Sequence, residues 1–383
     1  MCLTRNKILG LVFFCFCLGE SFSATKEEPD HWEIQTVPLD DFGKKGIIRD
    51  NPRLMGFLTQ DGLKAFMEKE FFPPDKFVVR AQNNVSTGRN GWSWCSVFVK
   101  RKTEKAPDPY AGEEDQHFII KPFKNEIFAL DEIKGLQAVH RDREVMRTQN
   151  LHDDSMPKLA FAEKFYKYEF NGKSFYFELL HAAKGLPLEA LIKNFKSSKP
   201  GTNAATKSKT DLLKAYGLLG RTLANFHLKL MTEDRCGLWV PEKSCTECKT
   251  VINQDAHSNN VFVNLKKGKI IFIDFERMSR SLKDKESPMI DVGHIILDLF
   301  FQQIPKEDYK ILRDKFLRSY FTQYIKQVPY PEKILEFWKE NGLAFKDSRV
   351  HLPEPEIDDI NLYVTNFLSK GLKMRSIRSA PRV

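Results

Sequence analysis

The sequence predicts an α+β fold in two parts: a five-stranded sheet carrying one inserted helix, then a mainly helical half. Three observations predict it. Between Lys76 and His181, apolar residues alternate in short runs rich in β-branched and aromatic side chains. Beyond them, Leu212, Tyr216, Leu219, Leu223, Phe226 and Leu230 recur at four–three spacing, and Tyr309, Leu312, Phe316, Tyr320 and Tyr324 repeat the pattern. Between these two helical faces stand two strand-like apolar runs, the second ending in a carboxylate. At 383 residues, with 42% apolar and 29% charged side chains, the chain can bury a substantial core.

In chain order, Arg5 and Lys7 precede the apolar run Ile8–Leu18, and small residues Ser21, Ser23 and Ala24 follow. Residues 1–24 read as a secretory signal peptide. The run is shorter than the roughly 20 residues a spanning helix needs, so no stable membrane insertion is expected. Cys2, Cys15 and Cys17 leave with the signal, and Cys95, Cys236, Cys245 and Cys248 remain. An even number in an exported chain favours disulfides, with pairing open; Cys245-Thr-Glu-Cys248 is also half of a zinc pattern. Residues 25–75 form an N-terminal extension with a helix near Leu63–Phe71, ending at Pro73-Pro74. Strands follow at Phe77–Arg80, Trp94–Lys100 and His117–Lys121, the last two separated by a charged loop with Pro107, Pro109 and Gly112. A helix is expected over Glu126–Leu151. Phe161–Phe170 and Ser174–Leu180 read as a hairpin turning at Asn171-Gly172. The stretch Lys196–Lys209, rich in Ser, Thr, Lys and Gly, reads as a mobile loop. The net charge of +9 is spread along the chain and not interleaved with aromatics, which describes a solvated basic surface rather than a nucleic-acid binder.

The chemistry concentrates in two segments. Asp255-Ala-His-Ser-Asn-Asn260 is a loop running into Val261-Phe-Val, and Ile270-Ile-Phe-Ile-Asp274 is an apolar run ending in a carboxylate. A carboxylate that receives a hydroxyl proton, with an Asn and an Asp that hold Mg²⁺ on nucleotide phosphates, is the layout phosphoryl transfer needs. Few, hard oxygen donors suit Mg²⁺.

Four segments resemble the aminoglycoside phosphotransferase and choline kinase branch of the kinase-like superfamily. They are Asp255–Val263, Ile273-Asp274-Phe275-Glu276, Leu219–His227, and Phe177-Glu-Leu-Leu-His181 running to Leu188. The resemblance implies a bilobal kinase-like fold with a five-stranded antiparallel N-lobe sheet and one helix at 76–182, and a helical C-lobe at 183–383. It implies ATP and Mg²⁺ as cofactors, Asp255 as catalytic base, and Asn260 and Asp274 as catalytic metal ligands. Lys121 would steady the α/β-phosphates, with Glu144 as its ion-pair partner and Glu132 and Glu126 as competitors. The turn Asn83–Trp92 would cover the phosphates around Gly88, and Leu179 and His181 of the hinge strand would bind the nucleotide. His257 orders the loop or touches substrate, His227 packs behind it, and Asp291 braces the loop or caps a helix. Glu276 stands where protein kinases have Gly, and Asn253 where the branch often has His. The sequon Asn84-Val-Ser86 falls on the covering turn, where a glycan would obstruct it.

The expected activity is phosphoryl transfer from ATP to a hydroxyl of a small molecule such as a sugar or amino alcohol. A protein acceptor, in the secretory pathway or in a host cell, and a pseudokinase that binds nucleotide or a partner remain alternatives. A cationic acceptor would use acids such as Glu354, Glu356, Asp358 and Asp359, which read equally as a solvated loop.

Overall fold

Six strands form the larger sheet: β1 (Ile34–Thr36), β2 (Phe77–Asn84), β3 (Trp94–Arg101), β4 (Gln116–Phe123), β6 (Ala162–Phe170) and β7 (Lys173–His181). Their order is β1-β6-β7-β4-β3-β2. The five from β6 to β2 pair antiparallel, as the resemblance implies, and β1 adds to the β6 edge in parallel. Phe170 pairs with Lys173, leaving two residues for the turn between β6 and β7. The computed structural model describes residues 34–36, 64–65, 67–69, 72–84, 94–101, 116–123, 126–133, 158–159, 162–170, 173–229, 255–274, 287–327, 332–343 and 352–379. Residues 1–24, Gly88 with most of the expected covering turn, residues 102–115, Glu144, Glu276 and Cys236, Cys245 and Cys248 lie outside them.

Alternation gives the sheet two faces. Val79, Val97, Val99, Phe118 and Ile120 are buried on one, where Phe72 packs its ring 5.3 Å from that of Phe118. The other face receives helix α1 (126–133), whose Ala129 and Ile133 join Phe123, Phe165 and Tyr176 in the core that continues through the helical half. Of the long helix expected from Glu126, the first two turns fall among the described residues.

A second sheet has the order β5-β10-β9-β8, from β5 (Lys158–Leu159), β8 (Leu186–Pro187), β9 (Val261–Asn264) and β10 (Lys269–Phe272). β8 reaches β9 through Gly185, where an added Cβ would lie 2.6 Å from the Val263 carbonyl oxygen. The helices are α2 (Leu188–Ser197), α3 (Asn203–Lys229), α4 (Met289–Phe301), α5 (Lys306–Gln327), α6 (Glu332–Asn341) and α7 (Glu354–Ser379). Leu212, Tyr216, Leu219, Leu223 and Phe226 of α3 and Tyr309, Leu312, Phe316, Tyr320 and Tyr324 of α5 are all buried, so both periodic faces form core. The two helices approach closely at Gly220, where a Cβ would stand 2.4 Å from the Phe316 carbonyl oxygen.

Of the stretch 196–209, only residues 198–202 lie outside a helix. Lys196 and Ser197 end α2, and residues 203–209 are the first turns of α3. Its hydroxyls act on the backbone: Thr202 Oγ1 accepts from the Ala205 N–H at 3.2 Å as an N-cap, and Ser208 donates to the Ala204 carbonyl at 2.6 Å. Lys209 is tied to Asp308 of α5 at 2.6 Å. Composition suggested a breaker where the residues are capping a helix. Among the described residues, no helix is long and apolar enough to cross a membrane.

Candidate active site

The β9–β10 hairpin places two of the expected residues at one open end. Val261 pairs with Phe272, and beyond that pair the Ile273 N–H donates to the Asn260 carbonyl oxygen at 3.1 Å. Asn260 and Asp274 therefore leave the ladder side by side. Asn260 Nδ2 donates back to the Asp255 carbonyl and to Asp255 Oδ2, both at 3.2 Å. This commits the donor side of the amide to Asp255 and leaves Oδ1 as the atom suited to a cation. His257 Nδ1 accepts from the Asn259 N–H at 3.3 Å while Nε2 lies 3.8 Å from Asp255 Oδ2, so His257 orders the loop.

The loop is braced from beneath. Ser258 is buried, and its N–H donates to Asp298 Oδ2 of α4 at 3.0 Å. Gln302 Nε2 donates to Ser258 Oγ at 3.2 Å, and the Ser258 carbonyl accepts from the Glu189 N–H of α2 at 3.1 Å. Asp298 and Gln302 were not singled out from the sequence; the signal available was a carboxylate inside the apolar run Ile295-Ile-Leu-Asp298-Leu-Phe.

Lys121 of β4 joins the sheet to this end of the hairpin. Its Nζ donates to Asp274 Oδ1 at 3.0 Å and to Glu132 Oε2 of α1 at 3.3 Å, and lies 3.6 Å from Glu178 Oε1. The Phe123 ring sits 5.1 Å from the ammonium. Among the described residues the partner of Lys121 on the following helix is Glu132. Glu178, missed from the sequence, lies directly across the ladder from Lys121 on β7. Burial, and then the neighbouring Glu132, push its carboxyl well above the usual carboxylate range, against the pull of Lys121. A lone Glu within Tyr176-Phe-Glu178-Leu-Leu was the visible signal. Asp274 holds φ at 67°, the left-handed region that Asp tolerates better than most residues.

Behind the site, His227 of α3 is enclosed. Its Nε2 lies 3.1 Å from Asp291 Oδ2 and its Nδ1 2.7 Å from the Tyr320 hydroxyl. Burial raises the Tyr320 phenol well above its ordinary value, so it remains a donor. A neutral imidazole accepting from Tyr320 and donating from Nε2 to Asp291 satisfies all three groups. Asp291 sits in the first turn of α4 with its carboxylate turned inward to His227; it is not the N-cap, which is Pro288.

Leu179 is buried and, one residue on from Glu178, lies on the sheet face opposite Lys121. His181 ends β7 opposite Phe118, and the next N–H, of Ala182, donates to the His117 carbonyl at 2.8 Å. The acids considered for a cationic acceptor begin α7 rather than a loop. Two of them are engaged by buried Arg313 of α5: Arg313 Nη2 donates to Asp359 at 2.7 Å, and Nη1 donates to Glu356. They pin α7 to α5, which removes them as a ready cation pocket.

The donor set fits Mg²⁺. Asn260 Oδ1 and the Asp274 carboxylate are two hard oxygens held at one hairpin end by the Ile273–Asn260 hydrogen bond. A cation that keeps waters and phosphate oxygens needs no larger protein cage. Among the described residues, no group of three or more His, Cys, Asp or Glu is arranged to hold a metal.

No family model matches the chain, and no curated protein matches it. Among solved structures, the one described as "WaaP in complex with acyl carrier protein" matches at 10% identity with a TM-score of 0.32, covering 64% of this chain and 83% of that one. That similarity is too slight to establish a shared fold.

Proposed function

We propose that this chain is an ATP- and Mg²⁺-dependent phosphotransferase of the kinase-like superfamily, with a sheet lobe to residue 182 and a helical lobe beyond it. Its acceptor is a hydroxyl of a small molecule such as a sugar or amino alcohol. The observation that carries the reading is the convergence of Lys121, Glu132 and Asp274 from three separate elements, the first and last 153 residues apart. Asp255 and Asn260 are tied to the same hairpin end.

Lys121, steadied by Glu132, would bind the α/β-phosphates; Asn260 and Asp274 would hold the cation. Bound Mg²⁺·ATP supplies the phosphoryl group and the charge neutralisation that transfer requires. Asp255 is oriented by the Asn260 amide, and its carboxylate aligns the acceptor hydroxyl and receives its proton. The loop bonds to Asp298 and Glu189 hold that carboxylate in place, which is what positional catalysis demands. We further propose that residues 1–24 direct the chain into a secretory route. Mass spectrometry of the secreted chain would find its N-terminus near residue 25.

The test is the thermal shift of the chain with millimolar ATP, with and without Mg²⁺. Stabilisation that needs Mg²⁺ and disappears in Asp274→Ala supports the site, and a screen of hydroxyl acceptors follows. Asp255→Ala should keep that binding and the melting temperature while losing turnover by about a thousandfold or more. Undiminished turnover in either variant would sink the reading.

A further inference from the structure

Besides Asp274, two carboxyl groups face Lys121. Glu132 rides on α1, a helix packed on the sheet, whereas Glu178 is fixed by ladder register directly opposite Lys121. Glu178 is buried and its Oε1 is 3.6 Å from the ammonium, in the middle of a strand otherwise filled with Tyr176, Phe177, Leu179 and Leu180. A carboxyl group there is costly unless something uses it. Asp274, the third partner at 3.0 Å, is also one of the two oxygens suited to a cation. A cation held there would compete with the ammonium for Asp274, whereas Glu178 would remain beside Lys121.

We propose that Glu178 is a positioning residue for Lys121, holding the ammonium beside Asp274 from the sheet itself, independently of how α1 sits. This rests on the phosphotransferase reading for its purpose but not for its geometry. At 3.6 Å the contact is longer than a hydrogen bond, so the hold is the pull of a carbonyl-type oxygen on the ammonium, which a protonated carboxyl and a carboxamide both offer. Glutamine therefore substitutes for Glu178, and methionine of similar length does not.

The experiment acetylates the folded chain with acetic anhydride and reads Lys121 against surface Lys207 by peptide mass spectrometry. Melting temperature and Mg²⁺·ATP titration accompany it. Glu178→Met should raise the Lys121 acetylation rate and the Mg²⁺·ATP dissociation constant each by about fivefold, the scale of one lost polar contact, while Glu178→Gln stays within about twofold on both. Unchanged Lys121 reactivity in folded Glu178→Met, with only a shifted melting temperature, would mean a merely structural Glu178 and overturns the proposal. If Glu178→Met does not fold, the Glu132→Ala, Asp274→Ala double variant decides, because both shorter contacts of Lys121 are then gone. Lys121 stays protected there to within about threefold if Glu178 holds it, and rises by about tenfold or more if it does not. A chain that binds no nucleotide yet gives the expected labelling pattern upholds the positioning role and removes the phosphotransferase reading.

Discussion

Glu178 carries the sharpest prediction at the scale of single residues. Its carboxyl is raised by burial, so the folded state prefers the protonated form. Below the unfolded value of about 4.3 both states are protonated and there is no penalty. Above it the unfolded chain releases a proton that the folded chain retains, and stability is lost as pH rises. Glu178→Gln has no such penalty. The variant should melt higher than the parent at pH 7 to 8, and the gap should close below about pH 4, as read by thermal unfolding across that range. A gap independent of pH would contradict the buried, proton-retaining carboxyl. Asp274 is the complementary case, since its left-handed backbone costs of order 1–3 kcal/mol and persists only where surroundings hold it. The Lys121 ion pair and the adjacent Ile273–Asn260 bond are the surroundings in view.

Among elements, the α3–α5 contact depends on one missing side chain. Gly220 lets the α5 backbone come in at Phe316, and a methyl there has rigid backbone in its way. Gly217, one turn earlier, would meet the movable end of Lys315 at 2.8 Å and Ser319 Oγ at an ordinary contact distance of 3.5 Å. Gly220→Ala should therefore destabilise by about 1–3 kcal/mol or more through overpacking, whereas Gly217→Ala should be neutral or gain a few tenths from helix propensity; denaturant unfolding distinguishes them. The periodic faces of both helices were legible in the sequence because a 3.6-residue repeat marks them locally. The strands β2, β3, β4, β6 and β7 were legible by alternation, with four of them running one to four residues further at an end and β6 described from Ala162. β1, β5 and β8 were not, because two or three residues are too few for a period and their pairing partners lie far along the chain. The polar stretch at 196–209 was misread for a related reason: Ser and Thr serve turns and helix caps alike, and only the Asp308 contact and the cap geometry distinguish the two.

For the whole molecule, Arg313 links the C-terminal helix to the helical core. It is buried, and its guanidinium holds Asp359 below the usual carboxylate range. A depressed folded value means that the contribution is present above the unfolded value near 3.9 and is lost as pH falls through the lower folded one. Asp359→Asn should flatten that part of the acid unfolding limb and lower stability near neutrality, read by melting temperature between pH 2 and 7. An acid limb unchanged by the substitution would place the clamp on Glu356 and Asp314 alone. The sequence by itself marked the strand and helix faces and singled out Asp255, Asn260, Asp274 and Lys121 as candidates, because each stands in a local pattern: a loop before a strand, or a charge ending an apolar run. Only the tertiary structure decided that Glu132 and Glu178 flank Lys121, that Asp298 carries the loop, and that the acids of α7 serve Arg313. These are pairings between residues 11 to 57 positions apart, set by ladder register and helix packing rather than by local pattern.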